Sequence, residues 1–141
     1  MDLRWVAGIG LVVLLLVFFG GAKSDLAICR QAFYGLTKGT YFSYDKHIAW
    51  ERLQAVGTDV GAVYSLLPND KEKLNYRQAF FKSFAEGFRL TGGKFESFSN
   101  WRVLEKDSQK TIVAADYRGK ILLFTISKKY GRKISQIQWK E

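Results

Sequence analysis

The chain has 141 residues, 48% of them hydrophobic and 16% aromatic, with a formal net charge of +9. That balance is ordinary for a globular domain and gives enough apolar material for one core. A single cysteine excludes an internal disulfide, and one histidine with one cysteine and dispersed acids cannot supply zinc-ligand spacing.

Residues 5–22, WVAGIGLVVLLLVFFGGA, form an unbroken apolar run followed by Lys23, Ser24 and Asp25. As a helix this run measures about 27 Å, between the length of a spanning helix and that of a signal-peptide core. Trp5 is an interfacial anchor type, while Gly20-Gly21-Ala22 suits a signal peptidase, so both readings stay open. The expectation is a segment 1–23 acting as membrane anchor or signal, and a single exported domain over 24–141. The localisation that follows is a single-pass membrane protein with its C-terminal domain outside the cytoplasm, or a secreted or periplasmic one after cleavage. Leu26-Ala27-Ile28-Cys29 is not a lipobox, because the residue before the cysteine is large and Lys23 and Asp25 interrupt the apolar lead. Cys29 reads as a small buried hydrophobe.

Ser24 and Asp25 open a helix over 25–37, with Leu26, Cys29, Phe33 and Leu36 on one stripe. After Lys38-Gly39-Thr40, a second helical pattern runs from Asp45 through Ile48, Ala49, Trp50, Leu53 and Val56. Gly57-Thr58 breaks it, and a third, turn-rich helical segment spans Asp59 to Leu67, closed by Pro68. Asn69 with Glu72 is a capping pair that opens the strongest helix, which runs to about Leu90 and stops at Gly92-Gly93. Leu74, Arg77, Phe81, Phe84 and Phe88 share one face of it, with Phe80 beside them. Arg77 is the one cation on that stripe, expected either in a pocket wall or paired with Asp45, Glu51 or Asp59.

From Phe95 onward the period changes from 3.6 to 2. Residues 95–105, 111–117, 120–128 and 133–140 read as four strands, joined in part by hairpin turns at Arg118-Gly119 and Tyr130-Gly131-Arg132. The pleat puts Leu122, Phe124 and Ile126 on one face, and sets Ser135, Ile137 and Trp139 opposite Ile134, Gln136 and Gln138. The predicted fold class is therefore α+β: helices packed on a curved antiparallel sheet of about four strands behind the N-terminal segment. Between Arg102 and Glu141 ten basic residues face four acidic ones, a net of +6 that could attract anionic lipid or glycan or simply protect strand edges.

Helices followed by Trp101-Arg102-Val103 and TIVAADYRGKILLFTISKKYGRKISQIQW resemble the cone-shaped nuclear transport factor 2-like (cystatin-like α+β) superfamily. The resemblance covers 25–141 and rests on element order, not on a signature motif. It implies either an isomerase or dehydratase using an acid or histidine inside the cone, or a non-catalytic module such as the membrane-anchored scaffold components of secretion machines.

The residues argue against the enzyme. Asp116 falls on the less apolar face of its strand, beside the Arg118-Gly119 turn, which is no place for a buried base. His47, between Lys46 and Ile48, reads as a surface or interhelix hydrogen-bonding group, and Asp59 as first-turn helix charge. No calcium loop, phosphate cradle or G-x-S-x-G motif is present. No catalytic residue, metal or cofactor is expected. Trp50, Tyr64, Arg77, Phe81, Trp101 and Trp139 are the candidates for lining a pocket, although filling the core is the commoner role of such aromatic side chains. The functional expectation is a non-enzymatic membrane-anchored binding or assembly module, contacting the membrane through 5–22 and protein partners or a second copy through the domain, with no nucleic acid. The alternatives are a small-molecule pocket with isomerase or lyase activity, and a basic surface for anionic lipid or glycan.

Overall fold

The side chain of Ser24 accepts a hydrogen bond from Ala27 N at 3.1 Å and starts helix α1 (Asp25–Lys38); Gly39, at φ 75°, ends it with its N–H on the carbonyls of Gly35 and Leu36. This computed structural model describes residues 24–141. Ile28, Cys29, Ala32, Phe33 and Leu36 of α1 are all buried. Burial, with the nearby charge of Asp25, pushes the Cys29 thiol well above its ordinary range, so it is an inert core group.

The expected helix over 45–56 does not form. Only a single 3-10 turn, Asp45–His47, precedes extended chain, because Ile48 bridges Ile134 in parallel and Ala49 N donates to Ile134 O at 2.8 Å. Of the apolar residues that suggested helical spacing, Ile48, Ala49, Trp50 and Leu53 are buried in this extended and turn segment, while Val56 is exposed in the hairpin turn. Strands β1 (Gln54–Ala55) and β2 (Thr58–Asp59) follow as a tight hairpin whose turn residues Val56 and Gly57 have φ of 46° and 86°. Helix α2 (Val60–Ser65) is capped by Asp59, whose carboxylate accepts from Ala62 N at 3.0 Å. Helix α3 (Asp70–Leu90) is capped by Asn69, which accepts from Glu72 N at 2.9 Å.

The remaining strands are β3 (Ser99–Lys106), β4 (Lys110–Tyr117), β5 (Lys120–Ser127) and β6 (Lys133–Trp139), and the sheet order is β2-β1-β6-β5-β4-β3. The four-stranded antiparallel sheet expected from the period is thus a six-stranded mixed one, since β1 pairs with β6 in parallel while every other pair is antiparallel. Two-residue strands are too short to show a period of 2, which is why this hairpin read as a helix break. The face assignment of β6 also changes. Thr125 pairs with Gln136 but Ile126 with Ile134, so Ser135 is a bulge residue and Ile134 and Ile137 both turn inward and are fully buried. Leu122, Phe124 and Ile126 face inward with them, as the pleat predicts.

Helix α1 lies on the inward face of β3–β5, and α3 packs on α1 while its backbone approaches the sheet only slightly. Phe33 joins the layers: its ring centroid lies 4.7 Å from that of Phe98, 5.4 Å from that of Phe124 and 6.0–6.1 Å from those of Phe84, Phe88, Phe95 and Trp101. Asp25 fixes the N-terminal end of α1. It is 5% exposed, accepts from Thr111 Oγ1 at 2.6 Å, and receives Arg132 Nε at 3.0 Å and Nη2 at 2.6 Å on its Oδ1.

The apolar run at 5–22 lies outside the described residues. Among the described residues no helix is long and apolar enough to cross a membrane. The longest, α3, has 21 residues but carries Lys71, Lys73, Lys82, Glu86 and Arg89 among its charged residues. The single-pass membrane protein, its transmembrane helix and its localisation are corrected accordingly.

Two stability outcomes follow. Burial alone would raise the pKa of Asp25, but the hydrogen bonds from Thr111 and Arg132 and the charges of Arg132 and Lys106 outweigh it and hold the carboxyl below its ordinary range. Its stabilising contribution is therefore complete above the unfolded value of about 3.9 and is lost as the pH falls through the lower folded value. Asp25→Asn should lower stability by about 2 kcal/mol at neutral pH and flatten the acid limb of the stability–pH profile, as read by urea unfolding at descending pH. Gly61 has no room for a side chain, because an added Cβ would sit 2.6 Å from the Glu51 carbonyl oxygen. Gly61→Ala should cost about 1–3 kcal/mol, measured as a drop in the urea midpoint.

Candidate functional site: an apolar cleft under the long helix

Because α3 leans on α1 and stands off the sheet, a cleft opens between them. Four rings one helical turn apart, Tyr76, Phe80, Phe84 and Phe88, line it from α3, all partly buried. Facing them are Leu122 of β5 and Ile137 and Trp139 of β6, with Phe33 and Phe98 at the bottom and Val56, Thr58 and Val60 closing the hairpin side. The cleft is open to solvent and encloses about 510 Å³, inside the range of about 300–1,000 Å³ that small-molecule sites occupy. Among the described residues its polar side chains are Thr58, Tyr76, Ser83, Thr91 and the indole of Trp139, and no carboxylate, imidazole, ammonium or guanidinium lines it. Burial pushes the Tyr76 phenol up, which keeps it neutral at physiological pH. Gly87 lies on the same side of α3, and an added Cβ there would meet nothing within 4 Å. A glycine in mid-helix weakens it, and here its missing side chain widens the cleft.

The residues expected to line a pocket are dispersed. Trp139 alone lies in this cleft. Trp50 and Tyr64 border a separate depression of about 310 Å³ with Glu51, Arg52 and Tyr130, and Trp50 Nε1 donates to the Asp45 carbonyl at 3.0 Å. Arg77 sits behind them, its Nε donating to Asp45 Oδ2 at 3.1 Å and its Nη1 to the Tyr64 hydroxyl at 2.7 Å. Desolvation opposes that charge, but the tyrosine and aspartate partners outweigh it and raise the guanidinium pKa. Arg77 is thus a clamp between the Asp45 turn, α2 and α3. Phe81 is fully buried, and Trp101 stacks on Phe124 at 5.5 Å; both are core.

The other titratable groups hold structure too. Asp116 accepts from Asn100 Nδ2 and Arg102 Nη1, each at 3.0 Å, and these bonds lower its pKa. Asp59 is a helix cap and His47 is buried at the 3-10 turn. Among the described residues no group of three or more His, Cys, Asp or Glu side chains could hold a metal ion. Two other concavities match the cleft in size and are more polar: a groove of about 520 Å³ beside α1, lined by Arg30, Gln31, Lys46 and several rings, and one of about 510 Å³ at the C-terminal end of α3, lined by Lys38, Arg89, Lys94 and Glu96 among others.

The sequence carries a signal for the cleft that the stripe through Leu74 and Arg77 conceals. Tyr76, Phe80, Phe84 and Phe88 repeat every four residues, a second aromatic row beside the one that holds Phe81 and Ala85 in the core. The chain matches no protein-family model, no curated protein and no solved structure. Gly87→Ala should stabilise the protein by about 0.5–1 kcal/mol, seen as a raised melting temperature, since helix propensity improves and nothing is displaced.

Proposed function

We propose that this protein is a non-enzymatic binding module that holds a small apolar molecule in the cleft beneath α3. The observation that carries the reading is the row of Tyr76, Phe80, Phe84 and Phe88 presented to an open gap of about 510 Å³. Packing a helix flat on a sheet would bury these rings against the strands; here they keep a partly wetted apolar wall, which a ligand would dry. Among the described residues the lining offers hydroxyls but no carboxylate, imidazole or ammonium to activate them, which supports holding over transforming, because proton abstraction needs a positioned group of suitable pKa. The resemblance to the nuclear transport factor 2-like superfamily belongs to this proposal. Helices on one face of a sheet with space under the longest helix are what that resemblance leads one to expect.

The test is titration with N-phenyl-1-naphthylamine, a neutral apolar dye that brightens when removed from water. Saturable one-to-one binding is expected, and Gly87→Leu, which projects a side chain into the gap, should weaken it by about tenfold while circular dichroism stays unchanged. Dye binding of equal strength in a folded Gly87→Leu protein, or no saturable binding at all, refutes the reading.

A further inference from the structure

Two rings of the cleft lining, Phe98 and Trp139, form a group with Tyr117 just outside it. Phe98 stacks on Tyr117 at 4.2 Å, and Trp139 lies 6.5 Å from Phe98 and 6.2 Å from Tyr117. Two cations sit over this group. The Arg118 guanidinium is 4.9 Å from the Tyr117 centroid, and Lys120 Nζ is 5.8 Å from that of Trp139. Arg118 Nη2 also donates to the Gly92 carbonyl at 3.3 Å, one residue beyond Thr91, which lines the cleft from α3. Arg118 therefore reaches from the β4–β5 turn to the C-terminal end of α3, across the end of the cleft. Both cations are exposed, and neither forms an ion pair among the described residues. The acid nearest in sequence, Asp116, is held by Asn100 and Arg102.

A trough with no charged side chain in its lining and two cations beside its end, neither ion-paired among the described residues, is complementary to a molecule with an apolar body and an anionic head. We infer that the cleft selects a single-chain amphiphilic anion such as a long-chain carboxylate, its tail along Phe80, Phe84 and Phe88 and its headgroup against Arg118 and Lys120. The inference rests on the proposed binding function and adds the ligand class to it. The volume admits one chain beside the aromatic row, and the aromatic seats hold the cations where the headgroup emerges. Lys128, Lys129 and Lys133 belong to the opposite end of the sheet, at the β5–β6 turn, so the cations of the cleft do not continue into one flat basic face.

The experiment compares dodecanoate, 1-dodecanol and dodecyltrimethylammonium as displacers of N-phenyl-1-naphthylamine from the full chain. Dodecanoate should bind about fivefold more tightly than the alcohol, the size expected of two exposed charges, and the ammonium more weakly than either. Arg118→Gln/Lys120→Gln should bind carboxylate and alcohol equally, with Lys120→Gln alone giving an intermediate preference should the double variant fold poorly. Equal affinity for carboxylate and alcohol in the wild type, or a preference that survives in the variants, overturns the anion selectivity and leaves the apolar cleft standing. Failure of all three to displace a dye whose binding Gly87→Leu weakens overturns the amphiphile inference and leaves the apolar cleft standing. Phosphatidylglycerol vesicles that sediment wild type and Gly87→Leu alike, with no displacement by free dodecanoate, would assign the cations to a lipid surface and also overturn it.

Discussion

The arrangement turns on Phe33. A single ring from the middle of α1 touches the sheet through Phe124 and Trp101, the long helix through Phe84 and Phe88, and the connecting segment through Phe95 and Phe98. Aromatic pairs of this kind contribute through area and through edge-to-face geometry, so one residue sets the spacing of both layers. With α1 wedged between them, α3 cannot settle on the strands. The cleft is the geometric remainder of that wedge, and Gly87 and the partly buried phenyl rings of α3 are found where the remainder opens.

Charge is used in two ways. The buried or partly buried pairs fasten elements together: Asp25 with Thr111 and Arg132 holds the start of α1 to the sheet, and Arg77 with Asp45 and Tyr64 holds α3 to the turn before β1. Asp25, the more deeply buried of the two acids, accepts from both Thr111 and Arg132, as a carboxylate removed from water requires. The excess basic residues lie mostly in turns and at strand ends. Two of them, Arg118 and Lys120, are seated on aromatic rings beside an apolar trough, an arrangement that favours a headgroup over a surface film.

Much of the local structure was legible because it depends on neighbours in sequence. Ser24 and Asn69 cap helices by accepting from the backbone N–H three residues on, and Arg118-Gly119 turns the chain with φ of 51° and 79°, whereas Asp59, expected as first-turn charge, is the cap of α2. The helix starting at Asp25 and the four long strands follow from the same short-range rules. Ile48, Ala49, Trp50 and Leu53 misled for the converse reason: their spacing fits a helix, yet their partner is β6, some eighty residues away, which claims the backbone hydrogen bonds of this segment.

The amino-acid order alone thus determined where α1 and α3 begin and that four long strands follow them, since capping, turn chemistry and periodicity act within a few residues. Only the tertiary structure decided that the sheet is mixed and six-stranded, that Ser135 bulges so that Ile134 and Ile137 point the same way, and that Tyr76, Phe80, Phe84 and Phe88 border open space instead of core. Those outcomes depend on which distant surfaces meet, and an aromatic row reads the same in a linear chain whether it will be filled by protein or left to face a cleft.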